Sequence, residues 1–449
     1  MEQQHYEHAC IDGPLDPMAF IARLADSGLL TDYVVYERDD HWHVAGNPSA
    51  EIRVDAHTVR TTRAASDETA VPWTASPWQA IRAALDGLPV VDWNAFGWLA
   101  FELADVTKSP PASALAGEGG EEGDGLLAHL IVPRTELTVT EDRIHVRTLE
   151  PEITERLAKV LSACSEHTPD PVLRPVTVHG ARKAYEDQVA YAVGQIGKGE
   201  LDKVILSRSV ELPFTVDMTA TYVRGRAANT PARSFLLDLG GRQAAGFSPE
   251  TVVEVSAGGT AVTQPLAGTR ALTGVPETDT ALRTELRRDA KEVYEHATSV
   301  KLAVEELDSV GIPHTTHIRE FLAVKPRGSV QHLASRVATE LSEERTAWDA
   351  LSAVFPPVTA SGIPKQAAYR LIRELEDRPR GMYAGAVVLA GADGSLDAAL
   401  VLRAVYQHGG RAWLRAGAGV VGASRPSREY EETCEKLLSV APYVVPKES

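Results

Sequence analysis

Short segments rich in β-branched and aromatic residues, each bounded by turn residues, recur along this chain of 449 residues. We predict these segments to be strands, and they read "DYVVYE" (32–37), "WHVAG" (42–46), "IRVDAHTVRTT" (52–62), "AFGWLAFEL" (95–103), "LDKVILSRSVEL" (201–212), "RSFLLDL" (233–239), "TVVEVSA" (251–257), "TAVTQPLAG" (260–268), "AGAVVLA" (384–390), "LDAALVLRAVY" (396–406) and "AWLRAGAGV" (412–420). Helical periodicity falls between them irregularly, near 153–164, 181–200, 285–308 and 427–440. Because helices and strands do not alternate regularly, the pattern favours an α+β fold with mostly antiparallel strands over a doubly wound sheet.

The charge balance bears on the kinds of partner this chain can bind. Lys and Arg number 45 against 62 Asp and Glu, which gives a net charge of −17 at neutral pH. This disfavours nucleic-acid binding, which usually needs a basic face. A dianionic substrate would be repelled by the overall field, so local positive groups or a metal ion would have to attract it.

The features that report on compartment point to a soluble protein. The three cysteines lack CxxC spacing, so neither a disulfide framework nor a zinc site is predicted. The first residues, "MEQQHYEHACIDG", contain no apolar stretch, and no run elsewhere approaches the ~18 apolar residues of a membrane helix. We therefore expect a reducing, cytoplasmic location.

The pattern changes in character near residue 180. Residues 1–180 are β-rich and include a Gly-, Pro- and acid-rich stretch at 109–125 that we predict to be a surface loop. Residues 181–449 carry the sharper periodicities and most of the motifs described next. We expect the two parts to be the lobes of one domain.

The strand at 201–212 contains a lysine where another Val or Ile would be ordinary. Lys203 would share a face with Ile205 and Ser207, while Val204 and Leu206 point the other way. Two interpretations stay open at this point. Lys203 is either a surface lysine at a strand entrance or an amine held at the edge of an apolar site to do chemistry.

Two helical segments each present a pair of carboxylates. Glu292 and Glu295 are three residues apart, as are Glu429 and Glu432, so each pair lies on one helix face. Four carboxylates on two helices suit a hard divalent cation such as Mg²⁺. The alternatives are that both helices are simply solvated and that Glu432 pairs with Lys436 four residues later.

Three further residues attract attention because of their neighbours. Glu250 follows Phe247 and a proline, where a desolvated carboxyl would keep its proton near neutrality, although most glutamates at strand starts are exposed. Arg403 lies inside an apolar strand pattern, where a guanidinium needs a carboxylate partner. Thr269, in "PLAGTR" (265–270), follows a strand in a turn that can present N–H groups and a hydroxyl to an anion.

The glycines of "GAGVVG" (417–422) match GxGxxG after a strand. No helix opens at once and "ASRPS" intervenes, so the match to a dinucleotide fingerprint is weak. Either the glycines form a plain turn or they let a backbone amide approach a ligand carboxylate.

Taken together, these motifs resemble the chorismate-utilising enzymes, the superfamily of anthranilate, aminodeoxychorismate, isochorismate and salicylate synthases. The matching stretches occur in the family's order: "KVILSR", "SFLLDLGG…GFSPE", "PLAGTRAL", "KEVYEHATSV", "GSVQHLAS", "FPPVTASGIPK" and "LRAGAGVVGASRPSREYEETCEKL". The resemblance is dense over 181–445 and is strongest to salicylate synthases of mycobactin-type siderophore pathways. It implies two large, mostly antiparallel sheets packed together with helices outside, and it makes 181–449 the chorismate-binding catalytic part.

The resemblance also implies roles for residues of this chain. Lys203 is similar to the base that activates water, Glu250 to the acid that protonates the leaving hydroxyl, and His332 to a residue beside the ring. The implied Mg²⁺ ligands are Glu292, Glu295, Glu429 and Glu432. The implied substrate-binding residues are Gly268, Thr269, Tyr383, Arg403, Gly417, Gly419 and Lys436.

The implied reaction converts chorismate through isochorismate to salicylate and pyruvate. An isochorismate synthase that releases its intermediate and a non-catalytic chorismate-binding homologue remain alternatives. A lysine base separates this chain from the ammonia-using relatives, so we expect no glutamine amidotransferase subunit. The charge balance and the lack of long apolar runs predict no nucleic-acid or membrane partner, and the resemblance implies a monomer. One departure is Gln264, where the mycobacterial type is expected to have Glu.

Overall fold

The architecture of the protein is dominated by antiparallel strands, as a computed structural model of the chain describes it. The model describes residues 3–13, 16–63, 67–73, 76–104, 125–163, 173–328 and 330–447. All but the last residue of the predicted surface loop at 109–125 lie outside this set. Within the described residues, no helix is both long and apolar enough to cross a membrane.

The strands are Glu7–Asp12 (β1), Tyr33–Arg38 (β2), His41–Val54 (β3), Thr58–Thr62 (β4), Glu68–Pro72 (β5), Asn94–Leu99 (β6), Ala128–Val139 (β7), Arg143–Thr148 (β8), Lys203–Leu212 (β9), Arg233–Leu239 (β10), Arg242–Ser248 (β11), Thr251–Val255 (β12), Thr260–Thr263 (β13), Leu266–Ala271 (β14), His317–Arg327 (β15), Val330–Glu340 (β16), Gly362–Ile363 (β17), Ala386–Gly391 (β18), Leu396–Leu400 (β19), Ala404–His408 (β20) and Arg411–Val421 (β21).

The α-helices are Pro17–Asp26 (α1), Pro77–Asp86 (α2), Ile153–Ser162 (α3), Arg182–Gly197 (α4), Met218–Ala228 (α5), Pro276–Arg288 (α6), Ala290–Asp308 (α7), Ala347–Val354 (α8), Lys365–Leu375 (α9) and Pro426–Leu438 (α10). Helix α7 packs on β14 and β16, and α10 packs on β21 and α4. The helices therefore cover the faces of the strand system, as the α+β prediction requires.

Two arms of strands meet at the long pair β3 and β7. One arm runs β2–β10–β11–β20–β21–β9–β17, and the other runs β6–β18–β19–β12–β13–β16, with β14 and β15 also on β16. Among the described strands the pairings are antiparallel, apart from one isolated parallel bridge near the N-terminus. The α+β prediction is confirmed, and what we expected as two sheets are two arms of one hydrogen-bonded system.

The two arms pack face to face through buried side chains. The Tyr36 hydroxyl on β2 donates to the Asp397 carboxylate on β19 at 2.5 Å. Arg233 on β10 donates to the same carboxylate through two nitrogens, at 2.9 and 2.8 Å. These groups satisfy one another's hydrogen-bonding capacity inside an otherwise apolar core.

Several elements that periodicity predicts as continuous are broken in the structure. The helix predicted over 285–308 is two helices, because the Asp289 carboxylate caps α7 by accepting from Lys291 N and Glu292 N at 3.0 and 3.2 Å. The strand predicted over 260–268 ends before Pro265, which has no N–H to donate. The strand predicted over 52–62 turns at Asp55, whose carboxylate accepts two backbone N–H groups at 2.8 Å.

The break that matters most falls at Arg403. The sequence "LDAALVLRAVY" predicts one strand over 396–406, but β19 ends at Leu400 and β20 begins at Ala404. Arg403 has φ +52°, a left-handed conformation that no continuous strand contains. The prediction that Arg403 lies inside a strand is therefore wrong, because the residue belongs to the break between β19 and β20.

Candidate active site

A cavity opens where β9, β14, β16 and β21 approach helices α7 and α10. The predicted site residues that line it are Lys203, Glu250, Gly268, Thr269, Glu295, His332, Tyr383, Arg403, Gly417, Gly419, Glu432 and Lys436. Glu292 and Glu429 do not line it, although each is on the same helix as a glutamate that does. The fold thus brings residues from distant parts of the chain to one place.

Lys203 is the first residue of β9, where it lies opposite Val421 of β21 and Ile363 of β17. Only 4% of the residue is exposed, so the interpretation as a surface lysine does not hold. Its Nζ donates a hydrogen bond to Glu295 Oε1 at 2.5 Å. A Cβ atom at Gly419 would lie 3.4 Å from Lys203 Cε, so this glycine lies directly against the lysine side chain.

Glu250 is buried directly before β12, with 3% of the residue exposed. Burial raises the pKa of its carboxyl to about 8, against the opposing effects of a hydrogen bond from Thr359 and the charge of Lys203. Thr359 Oγ1 donates to Glu250 Oε1 at 2.8 Å. The carboxyl is therefore protonated at neutral pH and can donate a proton.

His332 on β16 is buried at the cavity wall. Its Nδ1 lies 3.0 Å from Thr269 Oγ1 and 3.3 Å from the Gly268 carbonyl oxygen. Burial, reinforced by the charge of Arg403, lowers its pKa to about 3, so the ring is neutral. Gly268 has φ +68° in an irregularity of β14, and only a glycine adopts this conformation readily. The buried Nε2 has no hydrogen-bond partner among the described residues.

Arg403 has a guanidinium without a carboxylate partner. Burial lowers its pKa to about 10, so it is charged at neutral pH. Within the part of the chain that the structure describes, no carboxylate oxygen lies within 4.0 Å of its guanidinium nitrogens. A cation in this position favours an anionic ligand, because a carboxylate would satisfy its planar array of donors.

Tyr383 also lines the cavity. Burial raises the pKa of its hydroxyl, which therefore remains a hydrogen-bond donor at neutral pH. A Cβ atom at Gly417 would lie 2.8 Å from this hydroxyl and 2.7 Å from the Leu206 carbonyl oxygen. Gly417 is therefore required for the observed position of the phenol.

The four glutamates differ in their surroundings. Burial, with the neighbouring Glu295, raises the pKa of Glu292. Burial also raises the pKa of Glu429, and the neighbouring Glu432 adds to the effect. Burial alone would raise the pKa of Glu432 too, but the Lys436 ammonium outweighs it and holds that pKa below its usual value.

The donor chemistry of these glutamates fits a hard divalent cation, because a cation would relieve the repulsion within each pair. The oxygens are not assembled into a cage: Glu295 holds Lys203, and Glu432 holds Lys436 at 2.8 Å. Among the described residues, no three Asp, Glu, His or Cys side chains converge closely enough to hold an ion. The ion pair between Glu432 and Lys436, left open by the sequence, is present, and the magnesium site remains a prediction.

Comparison with known proteins identifies the family. A sequence model described as chorismate binding enzyme matches residues 31–442. The chain belongs to the chorismate binding enzymes. It is 40% identical to the salicylate synthase of Mycolicibacterium paratuberculosis over 438 residues, which cover 97% of this chain and 94% of the relative.

Other chorismate binding enzymes match over less of the chain or with lower identity. Anthranilate synthase component 1 of Aeropyrum pernix is 39% identical over 266 residues, covering 59% of this chain and 60% of the relative. The crystal structure of anthranilate synthase component I from Streptococcus pneumoniae superposes with a TM-score of 0.75 at 26% identity, covering 92% of each chain. The menaquinone-specific isochorismate synthase of Escherichia coli superposes at 0.74 with 20% identity, covering 98% and 95%, and this shows the fold alone.

In this chorismate binding enzyme, sequence reasoning missed the two other residues with polar side chains that line the cavity. Thr359 holds the Glu250 carboxyl, and Arg415 lines the cavity near Tyr383. Both lie inside motifs that carried the resemblance, "FPPVTASGIPK" and "LRAGAGVVGASRPSREYEETCEKL", which was the available signal. Gln264 is buried between β13 and β14 and does not line the cavity.

Proposed function

We propose that this enzyme is a salicylate synthase that converts chorismate through isochorismate to salicylate and pyruvate. The observation that carries the proposal is that one cavity holds a buried amine, Lys203, a buried carboxyl with a raised pKa, Glu250, and a guanidinium, Arg403, that has no carboxylate partner among the described residues. Such a set provides a base, an acid and a binding group for an anionic substrate. The similarity to a salicylate synthase over almost the whole chain supports it.

In the first step, Lys203 accepts a proton from a water molecule as the water oxygen bonds to C2 of chorismate. Both ring double bonds shift by one position, the C4–O bond breaks, and Glu250 gives its proton to the departing hydroxyl, which leaves as water. A lysine is a base only in its neutral form, so Lys203 must lose its proton and its ion pair with Glu295 before this step. General acid–base pairs of this kind typically contribute about 10²–10⁴-fold to the rate.

The substrate is dianionic, so both carboxylates need binding groups. Arg403, the Tyr383 hydroxyl and the Gly419 amide are assigned to the enolpyruvyl carboxylate. Gly268 and Thr269 are assigned to the ring carboxylate, near the neutral His332. Because the protein carries a net charge of −17, this local positive charge is what allows a dianion to bind.

We assign Mg²⁺ to the two glutamate pairs. Glu292, Glu295, Glu429 and Glu432 would hold it, and the ion would neutralise the ring carboxylate of the bound substrate. Lys436 lies beside Glu432 and donates to the Gly417 carbonyl oxygen at 2.8 Å, which places its charge on the cavity wall. No glutaminase partner is needed, because the nucleophile is water rather than ammonia.

In the second step, the C2 hydrogen moves to the enolpyruvyl methylene, the C3–O bond breaks, and pyruvate leaves as the ring becomes aromatic. This rearrangement requires no further acid or base and depends on the conformer that the site holds. The runner-up function is an isochorismate synthase that stops after the first step. The isochorismate synthase of Escherichia coli shares the fold, which does not distinguish the two functions.

Incubation of the purified protein with chorismate and Mg²⁺, with and without EDTA, tests the proposal. Chromatographic detection of salicylate and pyruvate in equal amounts is the expected result. Isochorismate without pyruvate would assign the runner-up function. No consumption of chorismate would overturn both.

A further inference from the structure

A buried cluster of three charged residues adjoins the Tyr383 side of the cavity, and none of them is among the predicted site residues. Glu376 follows helix α9, and 3% of its side chain is exposed. Its Oε1 accepts from the Arg380 guanidinium at 2.7 Å, and its Oε2 accepts from Arg380 at 2.9 Å and from Arg415 at 2.7 Å. One carboxylate thus holds two guanidinium groups.

Both guanidinium groups lie over the ring of Tyr383. The Arg380 Cζ atom is 5.7 Å from the ring centroid, and the Arg415 Cζ atom is 5.5 Å from it. Cations at such distances are attracted to the face of an aromatic ring. They also withdraw electron density from it, which makes the phenol O–H a stronger hydrogen-bond donor.

The cluster also holds the strand and turns around the cavity. Arg380 donates to the carbonyl oxygens of Ile205 and Ala360 at 2.7 and 2.8 Å, and these residues line the cavity near Lys203 and Thr359. The turn that leads to Tyr383 is fixed from the N-terminal part, because Glu102 accepts from Arg380 N at 2.6 Å and Gly381 N at 3.1 Å. The phenol is therefore held in place by contacts from several distant segments.

The charge balance of the cluster suggests more than a role in stability. Burial alone would raise the pKa of Glu376, but the two arginines outweigh burial and hold that pKa below its usual value. Two guanidinium groups thus lie beside Tyr383 against the Glu376 carboxylate, and burial raises the pKa of the nearby Glu102 carboxyl. Buried ion clusters are often no more stabilising than apolar residues of the same volume, so a functional reason for this one is expected.

We propose that Glu376, Arg380 and Arg415 are positioning residues that orient the Tyr383 phenol and strengthen its hydrogen bond to a carboxylate of the bound substrate. This inference rests on the proposed function, which assigns Tyr383 to the enolpyruvyl carboxylate. On this inference, the three charged residues affect substrate binding through Tyr383 and not through the overall stability of the protein.

A double-mutant cycle tests this coupling. Arg380→Lys keeps the charge but loses the planar set of donors, so KM for chorismate should rise about tenfold while kcat changes less than about twofold. In a Tyr383→Phe background, which itself raises KM, the same substitution should raise KM no further. Equal increases in both backgrounds would overturn the inference.

The cycle needs a control and a second variant. Arg378→Lys is the matched control, because Arg378 is in the same segment but pairs with the exposed Glu211 at 2.7 Å, and KM should not change. Glu376→Gln should repeat the KM effect if Arg380→Lys does not fold, as judged from its melting temperature. If wild-type protein does not turn over chorismate, the proposed function fails. The inference is then tested by calorimetric affinities for chorismate in the same four proteins. If Arg380→Lys weakens binding equally with and without Tyr383→Phe, the inference fails as well.

Discussion

Thr359 Oγ1 donates a hydrogen bond to Oε1 of the buried Glu250 carboxyl at 2.8 Å. The bond occupies one oxygen of a carboxyl that lines the cavity. Since the hydroxyl can stabilise the carboxylate form, it lowers the pKa of Glu250 while burial raises it. The acid of the proposed reaction is therefore tuned by a residue of the cavity wall that is not among the predicted site residues.

The pH dependence of turnover should report this pair. Glu250 must be protonated to act as the acid, and its pKa in the free enzyme is about 8, so kcat/KM should fall as pH rises through about 8. Thr359→Val removes the hydrogen bond that favours the ionised form, so the fall should move to higher pH by up to about one unit. Thr359→Ser retains a hydroxyl and should show the wild-type profile. Superimposable profiles for Val and wild type would contradict this account of Glu250.

Replacement of Glu250 should lower activity but raise the stability of the protein at high pH. A carboxyl whose pKa is raised in the folded state contributes stability at low pH that is lost as pH rises from about 4.5 to about 8. Glu250→Gln removes this loss. We expect the variant to lose about 10²–10⁴-fold in kcat and to melt about 2–5 °C above wild type at pH 9.

The same comparison at low pH is the control. Near pH 4.5, the gain in melting temperature should disappear, because the wild-type carboxyl is then protonated in the folded state at no cost. A gain that is equal at both pH values would show that the substitution acts through packing instead of through the buried charge.

Gly417 should be required for the position of Tyr383. A Cβ atom there would meet the Leu206 carbonyl oxygen at 2.7 Å and the Tyr383 hydroxyl at 2.8 Å. Gly417→Ala should cost about 1–3 kcal/mol in the free energy of unfolding and should raise KM, because the phenol is displaced. Gly422→Ala is the control, since its Cβ atom would have an ordinary 3.6 Å contact with Ile196. An unchanged KM in Gly417→Ala would argue against Tyr383 as a substrate-binding residue.

The dependence of activity on Mg²⁺ should require Glu432 of helix α10. EDTA should abolish turnover, and Glu432→Gln should weaken the apparent affinity for Mg²⁺ at least about tenfold. Glu435→Gln on the same helix is the control, because Glu435 pairs with Arg428 at 2.8 Å in an exposed position. Calorimetric titration of Mg²⁺ gives the affinity independently of activity, and equal affinities in the two variants would remove Glu432 from the metal site.

The sequence predicts most of this site because strand alternation and motif order report on local environment. Alternation in β9 correctly directs Lys203 to the side of Ile205, and both residues line the cavity. Periodicity fails at Arg403, because the apolar pattern continues through the residue while the backbone turns to φ +52°. A left-handed residue in an apolar run leaves no trace in hydrophobic spacing.

The residues that support the site were harder to predict. Thr359 has no periodic signal, and its importance follows only from the burial of Glu250. Glu376 and Arg380 are only four residues apart, but Arg415 and Ser207 come from two other segments and meet this pair only in the folded chain. A local sequence pattern does not predict which distant segments come together, so it cannot predict contacts between them.

The proposal that Lys203 activates water for attack at C2 is tested most directly by following the oxygen atom. Turnover of chorismate in ¹⁸O-labelled water, with mass spectrometry of the salicylate, locates the source of the phenolic oxygen. The account predicts one ¹⁸O atom in the phenolic hydroxyl of each salicylate and no turnover by Lys203→Ala. Unlabelled salicylate, or a Lys203→Ala variant with wild-type kcat, would contradict the assignment of Lys203 as the base.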